Sequence, residues 1–188
     1  MSTCGRRAVV KFKPPAPPRV YVDSCVYLDL IIRNEGELHA DTNEPRWRSA
    51  KQLFDAVNQD RVRLAASALV EAEVCCNGRS RHQNERVRAL LAGWFTALDT
   101  DWTDVDRPLA RRAAQLGDDH SDKREPGKHF GSADAVHLAA AIRLRCDYLV
   151  THDGGFPIGH KIEGVAVIRP RQVWEGTLFD ELSQSATA

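Results

Sequence analysis

Four carboxylates stand where apolar stretches of this chain give way to turns or helices: Asp23, Glu73, Asp134 and Asp153. Asp23 closes Val20-Tyr21-Val22, and Glu73 lies in the segment after Val62-Arg63-Leu64-Ala65-Ala66. Asp134 opens a run through Ile142 that is apolar on almost every side and interrupted only by His137. Asp153 sits in a Gly-Gly turn just past Asp147-Tyr148-Leu149-Val150-Thr151. Four acids sharing one pocket repel one another, and their protons bind more tightly unless a cation neutralises them. Hard divalent cations take oxygen ligands, and Mg²⁺ prefers a few carboxylates together with water and substrate phosphate. One or two such ions activate water and stabilise the charge of an in-line displacement at phosphorus. That chemistry needs neither a cysteine nor a histidine nucleophile.

The elements that must position these acids are legible in outline. Val20-Tyr21-Val22 reads as a short buried strand, and Ser24 to Ile32 as the helix after it. Residues 33–45 read as a loop. A helix over 46–58 follows, with Trp47, Ala50, Leu53, Phe54 and Val57 on one stripe. Val62–Ala66 reads as a second strand, and Ser67 as the cap of a helix from Ala68 to Cys76 that ends at Asn77-Gly78. Residues 84–98 form the clearest amphipathic helix, with Val87, Leu90, Leu91, Trp94, Phe95 and Leu98 at helical spacing. Trp102 to Val105 reads as a strand, and Pro108 opens the next helix. Residues 117–131 read as a mobile charged loop, after which Ser132 caps the buried helix and leaves Asp134 in its first turn. Val165–Ile168 is the last strand. Strands alternating with helices predict an α/β fold with a mainly parallel sheet, whose ligands bind beyond the carboxyl ends of the strands. Residues 1–19 read as a flexible Pro-rich tail, 20–180 as one domain, and 181–188 as a frayed C-terminus.

Four stretches carry a family resemblance. Val-Tyr-Val-Asp23-Ser24, Ala66-Ser67-Ala68-Leu-Val-Glu-Ala72-Glu73, Ser132-Ala-Asp134-Ala-Val-His-Leu-Ala-Ala-Ala and Tyr-Leu-Val-Thr151-His-Asp153-Gly-Gly-Phe156 resemble, in order and spacing, the motifs of the PIN domain family. The resemblance spans roughly residues 20–170. It implies a three-layer α/β/α fold and a Mg²⁺- or Mn²⁺-dependent endoribonuclease. Its products carry a 5′-phosphate and a 3′-hydroxyl. At this length the chain resembles the VapC toxins of toxin–antitoxin pairs, which implies an RNA substrate, an antitoxin partner and a homodimer. Asp23, Glu73, Asp134 and Asp153 then map to the metal-binding and catalytic acids, with Thr151 and Ser24 supporting them. Cys25 stands where the family often has a small polar residue.

Plainer readings compete for each residue. Asp23 also suits a helix cap, Asp134 a helix-dipole partner, and Asp153 an Asp-Gly turn. Glu71, two residues before Glu73, points from a different helix face. His137 reads as a packed core histidine. His120, Asp122 and His129 match no metal spacing and read as a solvated loop. The Trp94-Phe95 stripe reads as core or dimer interface, and Arg79, Arg81, Arg86 and Arg88 as a solvated face. A PIN-like module that binds RNA or protein without catalysis is the main alternative. An aspartyl phosphatase is disfavoured, because it wants a second Asp where Cys25 stands.

Composition bounds the rest. The chain has 188 residues, 43% of them hydrophobic, which suits one domain with a sizeable core. Its 26 basic residues balance 26 acidic ones, so it is no polycation. No apolar run is long enough to span a membrane, and no h-region follows Arg6-Arg7. Five cysteines without CxxC spacing suit reduced thiols in a cytoplasm rather than a disulfide framework.

Overall fold

The computed structural model describes residues 16–77, 85–97 and 99–171. Short apolar stretches become strands, and longer ones with apolar residues at helical spacing become helices. In chain order these are β1 (Arg19–Val22), α1 (Ser24–Ile32), α2 (Arg46–Asn58), β2 (Arg63–Ser67), α3 (Ala68–Cys76) and α4 (Glu85–Thr96). β3 (Asp101–Thr103), α5 (Arg107–His120), α6 (Ser132–Arg143), β4 (Tyr148–Val150), β5 (Lys161–Ile162) and β6 (Val165–Ile168) follow.

The sheet runs in the order β3-β2-β1-β4-β6-β5, with every pairing parallel except β5 on β6. Tyr21 of β1 lies in register with Ala65 of β2 and Leu149 of β4. The chain winds outward from β1 to β3 and then returns across the sheet to β4. Winding therefore reverses between β1 and β4. At such a reversal the loops leaving two neighbouring strands diverge and open a crevice at their carboxyl ends. Asp23 follows β1 there, and Thr151 to Asp153 follow β4. Helix α1 packs on α2 and α3, and α5 packs along α6, the layering expected when right-handed crossovers return on opposite faces of the sheet.

The face under α1 is aromatic. Tyr27 and Phe54 have ring centroids 4.9 Å apart, and Phe54 stacks on Trp94 at 4.3 Å. Trp94 and Phe95 are each 8% exposed, so this stripe is filled by the chain's own core. On the other face, α6 buries Ala135, His137, Leu138, Ala139, Ala140 and Ala141 and packs along α5. Alanines let α6 lie close to the sheet.

The structure corrects several expectations. Arg19 belongs to β1, and its backbone N–H donates to Asp147 Oδ2 at 2.8 Å, so the sheet begins inside the stretch read as a tail. The rest of that tail through Pro15, and residues 172–188, lie outside the described residues. The cap of α6 is Gly131 rather than Ser132. α5 continues through His120, into the stretch read as loop, because Ala113 and Leu116 bury its face. The remainder of that stretch is tied down where Glu125 N–H donates to Gly154 O at 2.9 Å and Arg169 pairs with Glu125. The third strand starts at Asp101 and stops at Thr103, and β5 adds a short antiparallel edge strand that the sequence pattern does not announce. Among the described residues, no helix is long and apolar enough to cross a membrane.

Candidate metal centre

Asp23 is fixed from both strands that flank the crevice. Its backbone N–H donates to Val150 O at 3.0 Å, and it caps α1 by accepting Ser24 N–H on Oδ1 at 2.7 Å. Its other oxygen, Oδ2, accepts the Thr151 hydroxyl at 2.7 Å and the Cys25 thiol at 3.0 Å. The cap role and the cluster role thus coexist in one side chain. Burial, then the Asp23 charge, holds the Cys25 thiol protonated, so it acts as a donor. That accounts for a cysteine at a position that the family often gives to a small polar residue.

Thr151 also joins Asp23 to Asp153, since its oxygen accepts Asp153 N–H at 2.9 Å. Asp153 Oδ1 accepts Gly155 N–H at 2.8 Å, the turn geometry expected of an Asp-Gly-Gly sequence. Asp134 Oδ2 accepts Gly131 N–H at 2.8 Å at the start of α6. Gly155 stands between these two acids. A methyl group there would sit 3.2 Å from Asp134 Oδ2, 3.3 Å from Asp153 Oδ1 and 2.5 Å from the His129 carbonyl oxygen. Only glycine lets the two carboxylates and the loop backbone converge.

Glu73 reaches the cluster from α3. Its Oε2 lies 3.0 Å from His137 Nε2, which is 3.8 Å from Asp23 Oδ1. One ligating atom from each of Asp23, Glu73 and His137 falls within 4.8 Å of the other two. The structure therefore brings His137, read as a core histidine, into the site while keeping it 1% exposed. Its signal was available: His137 lies three residues after Asp134, on the same helix face. Glu71 instead neighbours Cys75.

The electrostatics describe an acidic cluster that His137 compensates only in part. Burial, then the charges of Asp153 and Asp23, raises the Asp134 carboxyl above its usual range, against the Gly131 hydrogen bond. Burial also raises Glu73, but the His137 hydrogen bond and charge, aided by Ser24, outweigh it and leave the carboxyl lowered. His137 is lowered by burial and raised further by Glu73, Asp23 and Asp134, for a net rise. Among the described residues, His137 is the one basic side chain that pairs with any of the four acids. Carboxylate oxygens at a solvent-facing crevice, with residual negative charge, fit a hard divalent cation.

A second buried polar group lies behind β4. Asp29 Oδ2 and His152 Nε2 are 3.6 Å apart, and neither atom has a hydrogen-bond partner. Burial pushes the Asp29 carboxyl up to about 7 and His152 down to about 3.

The fold and crevice define an α/β protein with acids gathered at the switch point of a mostly parallel sheet. The chain belongs to the PIN domain family, whose match covers residues 20–158. Its backbone is similar to a chain of a toxin–antitoxin complex from Klebsiella pneumoniae, with TM-score 0.53 and 21% identity over 82% of this chain and 99% of that one. It is also similar to a chain of VapBC2 from Rickettsia felis bound to a promoter DNA fragment, with TM-score 0.51 and 16% identity over 80% of this chain and 98% of that one. At these identities the likeness shows the fold. No curated protein matches the chain by sequence.

Proposed function

We propose that this protein is a metal-dependent endoribonuclease and the toxin of a toxin–antitoxin pair. The observation that supports the reading is the grouping of ligating atoms from Asp23, Glu73 and His137 within 4.8 Å of one another, with Asp134 close enough for its carboxyl to be raised by the charges of Asp153 and Asp23. Family membership supports a nuclease. The Klebsiella and Rickettsia neighbours, both taken from toxin–antitoxin complexes, support an antitoxin partner.

In this reading Asp23, Glu73, Asp134 and Asp153 hold one or two Mg²⁺ or Mn²⁺ ions. Such ions, when bound, polarise the scissile phosphate and lower the pKa of water. The chain's own residues supply orientation. Thr151, Cys25 and the Ser24 N–H fix both oxygens of Asp23. The Gly131 and Gly155 N–H groups aim Asp134 and Asp153. RNA binds across the carboxyl ends of β1 and β4 and leaves with a 5′-phosphate and a 3′-hydroxyl. The protein acts in the cytoplasm as a homodimer.

Purified protein should cleave single-stranded RNA with Mg²⁺ or Mn²⁺ and stop when EDTA is in excess. Undiminished cleavage in EDTA contradicts the mechanism. Metal binding without any cleavage supports the silent binding module instead.

A further inference from the structure

Three of the four acids are locked by backbone N–H groups: Asp23 by Ser24, Asp134 by Gly131 and Asp153 by Gly155. Glu73 comes from mid-helix on α3, where backbone N–H groups are already used by the helix. Its side chain is 31% exposed and long enough to sample many rotamers. Besides the Ser24 hydroxyl near the surface, what holds it is a line of side chains running through the core. Ser67 Oγ lies 2.6 Å from Tyr21 Oη, Tyr21 Oη lies 3.0 Å from His137 Nδ1, and His137 Nε2 lies 3.0 Å from Glu73 Oε2.

Ser67 and Tyr21 are fully buried, and His137 is nearly so. Polar groups at such depth are costly unless each finds a partner. Ser67 makes this clear: it occupies the N-cap position of α3 but makes no side-chain cap bond, and its hydroxyl goes to Tyr21. The proton positions follow from Glu73. A bare Nε2 lone pair 3.0 Å from a carboxylate oxygen is repulsive, so Nε2 carries a hydrogen and donates to Glu73. Neutral His137 then accepts from Tyr21, which accepts from Ser67. Protonated His137 donates to Tyr21, which donates to Ser67. Both arrangements keep every bond of the line, the one to Glu73 included.

We propose that Ser67, Tyr21 and His137 form a positioning relay that holds the Glu73 carboxylate towards Asp23, so that the centre is arranged before its cation arrives. The relay rests on the metal-centre reading above. It makes His137 a positioning residue and gives Tyr21 a function its burial alone does not explain.

The test is calorimetric titration of the full chain with Mn²⁺ in the absence of RNA, alongside melting temperatures in EDTA. His137→Leu should weaken Mn²⁺ binding by about 10–100-fold, the usual effect of losing a group that orients a metal ligand. Tyr21→Phe keeps the ring and its packing, and should weaken binding several-fold; it carries the test if His137→Leu does not fold. His137→Gln, whose amide can donate to Glu73, should recover most of the loss. Unchanged Mn²⁺ affinity in the folded variants overturns the relay and leaves the metal reading standing. No recovery in His137→Gln, or an imidazole nitrogen coupling in the electron spin echo of Mn²⁺ bound to the wild type, makes the ring a ligand and overturns the positioning role. Absence of Mn²⁺ binding by the wild type overturns the metal reading and the relay together.

Discussion

Asp134→Asn should sharply reduce RNA cleavage while leaving the fold intact. The amide oxygen can still accept the Gly131 N–H, so the helix start keeps its hydrogen bond. What disappears is one negative charge. At an ordinary helix start that charge is worth about 0.3–1 kcal/mol. Here the carboxylate is half-buried and faces Asp153 and Asp23, which disfavour its ionised form. In EDTA the variant should therefore melt at or slightly above the wild-type temperature. With Mn²⁺ the order reverses, because a ligand that binds only the folded state stabilises it. Cleavage should fall by about a hundredfold or more, in line with losing a group that sets a metal site. Glu71→Gln is the control: Glu71 sits on α3 near Cys75, away from the cluster, and should leave both cleavage and melting unchanged. A fully active Asp134→Asn returns Asp134 to a plain helix-start role.

Asp29→Asn should stabilise the protein, and the gain should grow with pH. Asp29 is 8% exposed, and burial pushes its carboxyl up to about 7 from an unfolded value of 3.8. Below that unfolded value the group is protonated in both states and costs nothing. Between the two values the unfolded chain releases the proton while the folded chain keeps it, so stability is lost as pH rises. Above the folded value the loss is complete. A shift of this size corresponds to at most about 4 kcal/mol at 1.36 kcal/mol per pH unit. Local relaxation reduces it, and a gain of about 1–2 kcal/mol at pH 8, or roughly 2–8 °C in melting temperature, is expected. At pH 3 the variant and wild type should melt together. A lower melting temperature for Asp29→Asn at pH 8 would mean that the ionised Asp29 is stabilised in the fold, with Arg46 the cation facing it, and would contradict this account.

The parts of this molecule that depend on neighbours in sequence were legible, and the parts that depend on distant partners were not. β1, α1, α3 and β6 follow from local periodicity and turn residues. The four acids stand out because each interrupts an apolar stretch at the edge where a parallel sheet binds ligands. His137 reads as core because its helix is apolar nearly all round, and it is indeed buried. Its partners, however, are Tyr21 and Glu73, on other elements far away in the chain. No periodicity reports such a pairing. Ser67 misleads for the same reason: locally it is an N-cap, while its hydroxyl is taken by a tertiary contact. The end of α5 was hidden because Gly117, Asp118 and Asp119 favour a loop, and packing on α6 overrides that preference. β5 has two residues, too few for alternation to register. Gly131 shows a further limit, since Ser132 is the better cap by side chain but Asp134 supplies the hydrogen bond in its place.

The central claim is that Asp23 after β1, Glu73 within α3 and Asp134 in the first turn of α6 hold a divalent cation. Diffraction at the manganese absorption edge, from crystals of the full chain grown with Mn²⁺, tests it most directly. The account predicts an anomalous peak in the crevice bounded by Asp23, Glu73 and Asp134, absent from crystals of Asp23→Asn grown the same way. Manganese bound only elsewhere on the surface, or a crevice empty of anomalous signal at saturating Mn²⁺, would contradict it.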